Sequence, residues 1–466
     1  MVRQMKISLA SLMAIPALFF LAGCAVHGVN PPAAGPLPER FMESPSPGAV
    51  SAAEIGRWWE SFGDQRLDAL VEEALGQNLD LARGYARLAQ LEAAARIAEA
   101  GRQPFLNFTG QAGLDRQPTA AGGMSGDNYR LSLAGGYEVD LWKKLESRQE
   151  AAALEATAGR EELKTLYLTV TSRLVDLYYL AVQLRAQLDL ADRIVAARAE
   201  TVKRIETRYR EGLVQPLDLH QARQGLATAR TRRPELEANL AFTEHAIAVL
   251  AGRFPEAGIG GDLAVLPATP AAFPAGLPSE LLARRPDIVA AGHRVRARDA
   301  RLGEALAARF PSFNLLAGYG LSRSELPVSA SGYFWNLAAN LLQPVLDGGR
   351  LAAEADRSRG ALDEEMAVYR QTVLTAFQEV EDGLAANRLT EERIVLLAEQ
   401  MEIAVATLQV ATDGYFQGLN DYLPVLTAEI QQFEAENQLL AARRQLIADR
   451  ISLIRALGGG GTVGGD

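Results

Sequence analysis

The chain contains one cysteine, Cys24, four histidines and only 7% aromatic residues. Each scarcity excludes something. A lone thiol closes no intramolecular disulfide, so stability has to come from packing and assembly. His27, His220, His245 and His293 show no metal-ligand spacing and read as surface or helix residues. No phosphate-binding loop and no Ser/His/Asp arrangement is present, so the expectation is a non-enzyme without a metal or a dissociable cofactor. Basic residues are also short, 47 against 57 acidic, and a net charge of −10 opposes nucleic-acid binding. Although 48% of the residues are hydrophobic, no run beyond the N-terminus reads as long and charge-free enough for a membrane helix.

What is present begins at that N-terminus. Arg3 and Lys6 precede an apolar run, Ile7 to Ala22, that is too short for a stable span and ends in Leu21, Ala22, Gly23 and Cys24. The pattern resembles a bacterial lipoprotein signal. It implies cleavage between Gly23 and Cys24, and a diacylglycerol plus an N-acyl chain on the Cys24 thiol and amine. Several acyl chains at roughly 0.8 kcal/mol per buried CH₂ make such an anchor effectively permanent. Ala25 in place of an aspartate implies, by the same resemblance, forwarding to an outer membrane. Removal of Arg3 and Lys6 leaves 45 basic against 57 acidic residues, a net of −12.

The chain is written twice, with matches at an offset of about 206 residues. Leu75, Asn78, Asp80 and Leu81 face Leu282, Arg285, Asp287 and Ile288. Pro104 and Asn107 face Pro311 and Asn314; Tyr209 and Gly212 face Tyr415 and Gly418; Gly252 faces Gly458. The expected division is a signal at 1–23, an anchor and equatorial segment at 24–63, a first repeat at 64–252, a linker at 253–278, a second repeat at 279–458 and a tail at 459–466. Each repeat reads as helix, β-hairpin (104–141 and 311–346), very long helix, Gly-marked turn (209–218 and 415–424) and shorter helix. The first helices are expected over Leu67 to Gly101 and Ser279 to Arg309, the long ones over Lys144 to Arg210 and Arg350 to Asp413. At 1.5 Å per residue the long helices reach on the order of 95 Å. Their apolar residues alternate spacings of three and four, as in Ile394, Leu397, Met401, Ala404, Leu408, Ala411 and Tyr415, which is a coiled-coil seam. The last helix continues it, interrupted by Asn437 and Arg444.

The hairpins alternate strictly. Leu106, Phe108, Gly110, Ala112 and Leu114 project one way and Asn107, Thr109, Gln111 and Asp115 the other; the return strand sets Tyr129, Leu131, Leu133, Tyr137, Val139 and Leu141 against Arg130, Ser132, Glu138 and Asp140. Strands of about ten residues with one apolar face and charges on the other suit a bilayer outside and a watery lumen inside. Four strands close no barrel, and an open edge in lipid strands its backbone groups at several kcal/mol each. Several chains must share one barrel, and three would supply an even set of about twelve strands.

The fold class is therefore mixed α+β, mainly α and internally duplicated. Its long coiled-coil helices form a trimeric α-barrel, and each chain lends four strands to a 12-stranded outer-membrane β-barrel. The run Leu277 to Ile288 (LPSELLARRPDI), the run Tyr137 to Trp142 and the run Pro344 to Arg350 resemble the TolC family of outer-membrane channels, in particular its lipidated branch serving resistance-nodulation-division pumps. The resemblance covers nearly everything after Cys24. It implies a homotrimeric conduit that receives small molecules from an inner-membrane pump through a periplasmic adaptor, with the transport energy supplied by the pump. It also implies that the turns Tyr209 to Ala222 and Tyr415 to Ala428 form the periplasmic gate, where the adaptor's helical hairpins dock. Gly212 and Gly418 permit the left-handed backbone that ends a helix sharply. Related proteins often place acidic residues after the second turn, where this chain has Pro424 and Thr427. Leu423 matches an apolar constriction, and Asp421, Glu429 and Asp218 are further gate candidates. Rings of carboxylates there would favour cations and respond to pH. Two alternatives keep parts of this reading: a type I protein-secretion channel of the same family, and a periplasmic coiled-coil adaptor lipoprotein.

Overall fold

The computed structural model describes residues 27–28, 30, 38, 40–42, 57–117, 122–259, 261–270, 278–324 and 332–459. The signal, Gly23 and Cys24, most of the N-terminal segment, part of the linker, the loop tips and most of the tail lie outside the described residues.

The elements run in chain order as a 3₁₀ turn Trp58–Phe62, α1 Gln65–Gln77, α2 Leu79–Ala100, β1 Phe105–Gln117, β2 Met124–Val139, α3 Lys144–Arg210, α4 Pro216–Leu250, α5 Pro278–Arg284, α6 Pro286–Ala307, β3 Ser312–Ser324, β4 Gly332–Leu342, α7 Arg350–Phe416 and α8 Leu423–Ala456. Both long helices have 67 residues, and each boundary of α7 lies at the number of its α3 counterpart raised by the repeat offset. Two compact units share the chain. The first takes Met1–Ala34, Arg87–Arg160 and Ala290–Gln371; the second takes Gly35–Ala86, Glu161–Val289 and Thr372–Asp466.

The first unit holds one antiparallel sheet in the order β1-β2-β3-β4. Within the hairpins Phe108 opposes Leu133 and Tyr319 opposes Trp335. The two hairpins also join to each other through β2 and β3, with Leu133 opposite Tyr319, so the apolar residues of all four strands fall into continuous rows. The strand-to-helix joint is capped. Asp140, read from the sequence as a lumen charge, lies beyond the end of β2 and accepts the Glu146 amide at 2.7 Å, satisfying a donor at the start of α3. In the second repeat Asp347 does the same for Leu351 at 2.9 Å and Gly349 at 3.0 Å. Below the sheet α2 and α3 approach closely, since a side chain at Gly159 would lie 2.5 Å from a Leu91 methyl.

The second unit is centred on a cluster that includes Trp59, Leu67, Val71, Tyr178, Tyr179, Ile247 and Ile447. Asp64 caps α1 through the Arg66 and Leu67 amides and accepts the Tyr178 phenol at 2.7 Å. Here the structure corrects the expectation of one unbroken first helix per repeat. The first breaks at Asn78, whose side chain accepts the Asp80 and Leu81 amides at 2.9 and 3.0 Å and donates to the Leu250 carbonyl at 2.9 Å. The second breaks at Arg285, where Pro286 has no amide to continue the ladder. The closing glycines of the repeats meet these breaks: Gly252, at φ 74°, leaves no room for a side chain against the Gln77 carbonyl, and Gly458, at φ 90°, packs on the Arg284 carbonyl. The linker is tied down where Glu244 accepts the Gly258 amide at 2.9 Å and Arg450 donates to the Pro270 carbonyl at 3.1 Å.

Two further corrections concern α7. It extends to Phe416 rather than Asp413, and it contains an 18-residue stretch apolar enough, with few enough charges, to pass as a membrane span. Its apolar side chains fall in two stripes. Leu397, Ala404 and Ala411 are buried, Leu397 against Leu439 and Ala442 of α8, whereas Leu396, Ile403 and Val410 are exposed.

Candidate functional site

Two regions carry functional geometry, one in each unit. In the first unit the apolar face of the sheet is bare. Phe108, Leu131, Leu133, Tyr319, Trp335 and Leu337 are 43 to 78% exposed, values that a soluble core strand would reverse. The opposite face carries hydrogen-bonded polar groups: Thr109 with Ser132 at 2.7 Å and Asn128 donating to Asp115 at 3.0 Å. Arg130 lies on that face, 5.7 Å from the Phe334 ring centre, and Glu138 is ion-paired with Lys144. β1 and β4 are the outer strands of the sheet, so each leaves one edge of its ladder without a partner strand among the described residues. An apolar face, a polar face and two free edges together describe a segment cut from a barrel.

In the second unit the two Gly-marked turns come together. Each long helix ends in the same left-handed cap. Gly212 at φ 71° lets the Leu213 amide reach the Arg208 carbonyl at 2.9 Å, and Gly418 at φ 76° lets Leu419 reach the Gly414 carbonyl at 2.9 Å. A shared core of Val202, Ile205, Leu219, Tyr415, Tyr422 and Val425 packs beneath them. At the turns, side-chain bonds cross between the repeats. The Tyr415 phenol donates to Asp218 at 3.4 Å, and Arg208 donates to the Phe416 carbonyl at 2.8 Å while its guanidinium lies 6.0 Å from the Tyr415 ring. Burial pushes the Tyr415 phenol up to about 12, with Asp218 adding to the shift, and holds Tyr422 above the ordinary tyrosine range as well.

The candidate gate residues separate into two groups. Asp421, Leu423 and Thr427 are exposed, with Leu423 at 58%; the Thr427 hydroxyl donates back to the Leu423 carbonyl at 2.9 Å. Asp218 is half-buried and engaged by Tyr415. Glu429 lies 3.2 Å from Arg198 of α3 with both side chains nearly buried. Burial raises its pKa against the opposing pull of Arg198. Sequence reasoning missed Tyr415 and Arg208 as the residues joining the turns. Tyr415 reads as one more seam position, and nothing in the sequence singles out Arg208. Among the described residues no group of three or more His, Cys, Asp or Glu is placed to hold a metal ion.

The chain as a whole is similar to known proteins. The outer membrane efflux protein family matches residues 70–253 and 277–459, which are the two repeats. The chain is 31% identical over 470 residues to the pyoverdine export outer membrane protein OpmQ of Pseudomonas aeruginosa, covering 97% of each. It is 29% identical over 468 residues to the probable outer membrane lipoprotein SilC of Salmonella typhimurium, covering 96% of this chain and 98% of SilC. Its fold superposes on the outer-membrane channel OprN with a TM-score of 0.86 at 28% identity, covering 94% of this chain and 99% of OprN.

Proposed function

This chain belongs to the outer membrane efflux protein family, and from that premise we propose that three copies assemble into one conduit, closing a shared β-barrel in the outer membrane above a helical tunnel. The chain is an outer-membrane efflux channel; the trimer, its partners and its gate are the finer reading. The observation that carries the trimer is the open four-stranded sheet, bare on its apolar face and unpaired at both edges. In hydrocarbon those edges cost several kcal/mol per unsatisfied group, and only closure with further copies removes the cost.

In this reading the substrate passes passively from an inner-membrane pump of the resistance-nodulation-division type, through a periplasmic adaptor, into the tunnel. The energy comes from the pump, and the channel has no catalytic step of its own. The turns around Gly212 and Gly418 form the narrow periplasmic end, with Leu423 and Asp421 exposed on the second turn and Tyr415, Asp218 and Arg208 holding the two turns together. Cys24 carries the diacylglycerol and N-acyl chain after cleavage behind Gly23; the lipoprotein designation of SilC supports this. The cargo is small molecules.

The test is the native mass of the mature protein extracted in mild detergent. A trimer is the expected result. A folded monomer would overturn the shared-barrel reading, because its four strands form no closed pore.

A further inference from the structure

The two repeats differ where their helices carry charge inward. Arg198 of α3 reaches Glu429 of α8, and the counterpart of Arg198 on α7, at the repeat offset, is Ala404, a buried residue. A coil that closes over alanine in one repeat needs no arginine for its packing in the other. Arg232 of α4 has Gln438 for its counterpart on α8, and Phe433 of α8 has Ala227 on α4. Arg198, Arg232 and Phe433 meet in one place.

Within the second unit α3, α4 and α8 enclose a cavity of about 320 Å³, inside the range of about 300 to 1,000 Å³ in which small-molecule sites fall. Its lining is apolar at Ile194, Ile430 and Phe433 and cationic at Arg198 and Arg232, with Thr228 exposed among them. The Arg232 guanidinium lies 4.0 Å from the Phe433 ring centre. Arg198 donates to the Gly225 carbonyl at 2.7 Å and lies 3.2 Å from Glu429.

The charges do not balance. Arg198 takes the Glu429 carboxylate, and among the described residues Arg232 has no carboxylate at ion-pair distance. Burial lowers the Arg232 pKa and the charge of Arg198 lowers it further, while Glu434 and Glu235 pull back more weakly. An uncompensated positive charge in a part-apolar cavity is a standing cost that a bound anion removes. A flat apolar body on that anion would continue the stack begun by Arg232 and Phe433 and cover Ile194 and Ile430.

We propose that this cavity binds a small organic anion with a flat apolar body, its acid group on Arg232 and Arg198 and its ring against Phe433. Every lining residue belongs to one chain, so the inference stands apart from the trimeric reading. An occupant touches α3, α4 and α8 at once, and its binding adds to the stability of the folded chain.

The test uses the full chain in a non-ionic detergent, with naphthalenesulfonate as the probe and naphthylmethylammonium, the same ring bearing a cation, as the control. Equilibrium dialysis against matched micelles reads the probe bound per chain, and native mass is read on the same sample. The expected result is saturable binding of one naphthalenesulfonate per chain, a thermal midpoint that rises with its concentration, and no saturable binding of the cation. Arg232→Gln should weaken binding about tenfold or more. Thr228→Trp, which keeps both arginines and fills the cavity from an exposed position, should abolish it. Binding that never saturates, that the cation matches, or that either variant leaves unchanged overturns the site. Because the count is per chain, saturable binding to a monomer would sustain the site while overturning the trimer, and a trimer without binding would do the reverse.

Discussion

Tyr415 and Asp218 stand 197 residues apart in the sequence and belong to different repeats, yet the phenol of one donates to the carboxylate of the other at 3.4 Å. With Arg208 donating to the Phe416 carbonyl, this bond ties the end of one long helix to the turn of its twin. The length of the bond puts it at the weak end of the hydrogen-bond range, worth about 0.5 kcal/mol.

Removing the bond should therefore loosen the turns with little loss of fold stability. Tyr415→Phe is expected to raise the single-channel conductance in planar bilayers and to shift the thermal midpoint by only a degree or two, since the ring remains in the core. Conductance equal to the unsubstituted channel would mean that the gate is held elsewhere.

Leu423 and Asp421 give a separate prediction, because both are exposed. Leu423→Ala and Asp421→Ala should widen the narrow end and raise conductance without a change in stability beyond about 0.5 kcal/mol. Val425→Ala, two residues on but buried, should instead cost about 1 to 2 kcal/mol of stability. If all three variants behave alike, Leu423 and Asp421 do not line the path.

Arg285 is buried and donates to both Asp287 oxygens at 3.0 and 2.6 Å, to Glu379 at 2.6 Å and to the Ala456 carbonyl at 3.0 Å. Replacing it with Ala leaves these acceptors without their cation and should cost about 3 kcal/mol or more in denaturant unfolding. Lys should rescue little, because a point charge cannot reproduce the planar fork. Full rescue by Lys would refute the geometric account.

At Asn78 the side chain satisfies two amides and one carbonyl in a break between helices. Asn78→Ala should cost about 1 to 2 kcal/mol, and Asn78→Asp should recover the capping part alone. Hydrogen exchange at the Asp80 and Leu81 amides reports the outcome directly; unchanged protection in the Ala variant would argue against the cap.

The buried tyrosines set an alkaline limit. Burial raises Tyr415 to about 12 and shifts Tyr178, Tyr179 and Tyr422 in the same direction. The folded chain thus prefers the neutral phenols, and their contribution is fully present below about pH 10, the ordinary tyrosine value. It is lost as pH rises through about 12 and beyond. Unfolding free energy should be level up to about pH 9 and fall steeply above about 10, less steeply in Tyr422→Phe. A flat curve to about pH 12 would contradict burial of these groups.

The long helices and the alternating strands were legible because both are periodic, and periodicity survives in sequence wherever one face is buried or lies in lipid. The helix break at Asn78 was not, since Leu, Ala and Arg surround it and the stop depends on one side chain bonding backbone groups; the break at Arg285 is signalled by Pro286, whose missing amide ends the ladder. The β2–β3 pairing was hidden because each hairpin closes locally, whereas that join depends on the duplication bringing distant strands together. Asn437 and Arg444 interrupted a seam for no sequence-level reason; their partners, Gln187 and Asp176, lie on α3. The inward turn of Glu429 was equally invisible, because it depends on Arg198 meeting it from another helix.

The repeats carry no insertion from Lys144 and Arg350 to their last helical residues, and this constrains how such a chain can change. Adding one residue to a single long helix rotates everything beyond it by about 100°, turning both of its stripes away from their neighbours. Lengthening survives only if it comes in whole heptads and is copied into the twin helix and into both returning helices at once. Four coordinated events are rarer than any point substitution, so descendants of this chain are free to drift in side chains while their rods stay the same length.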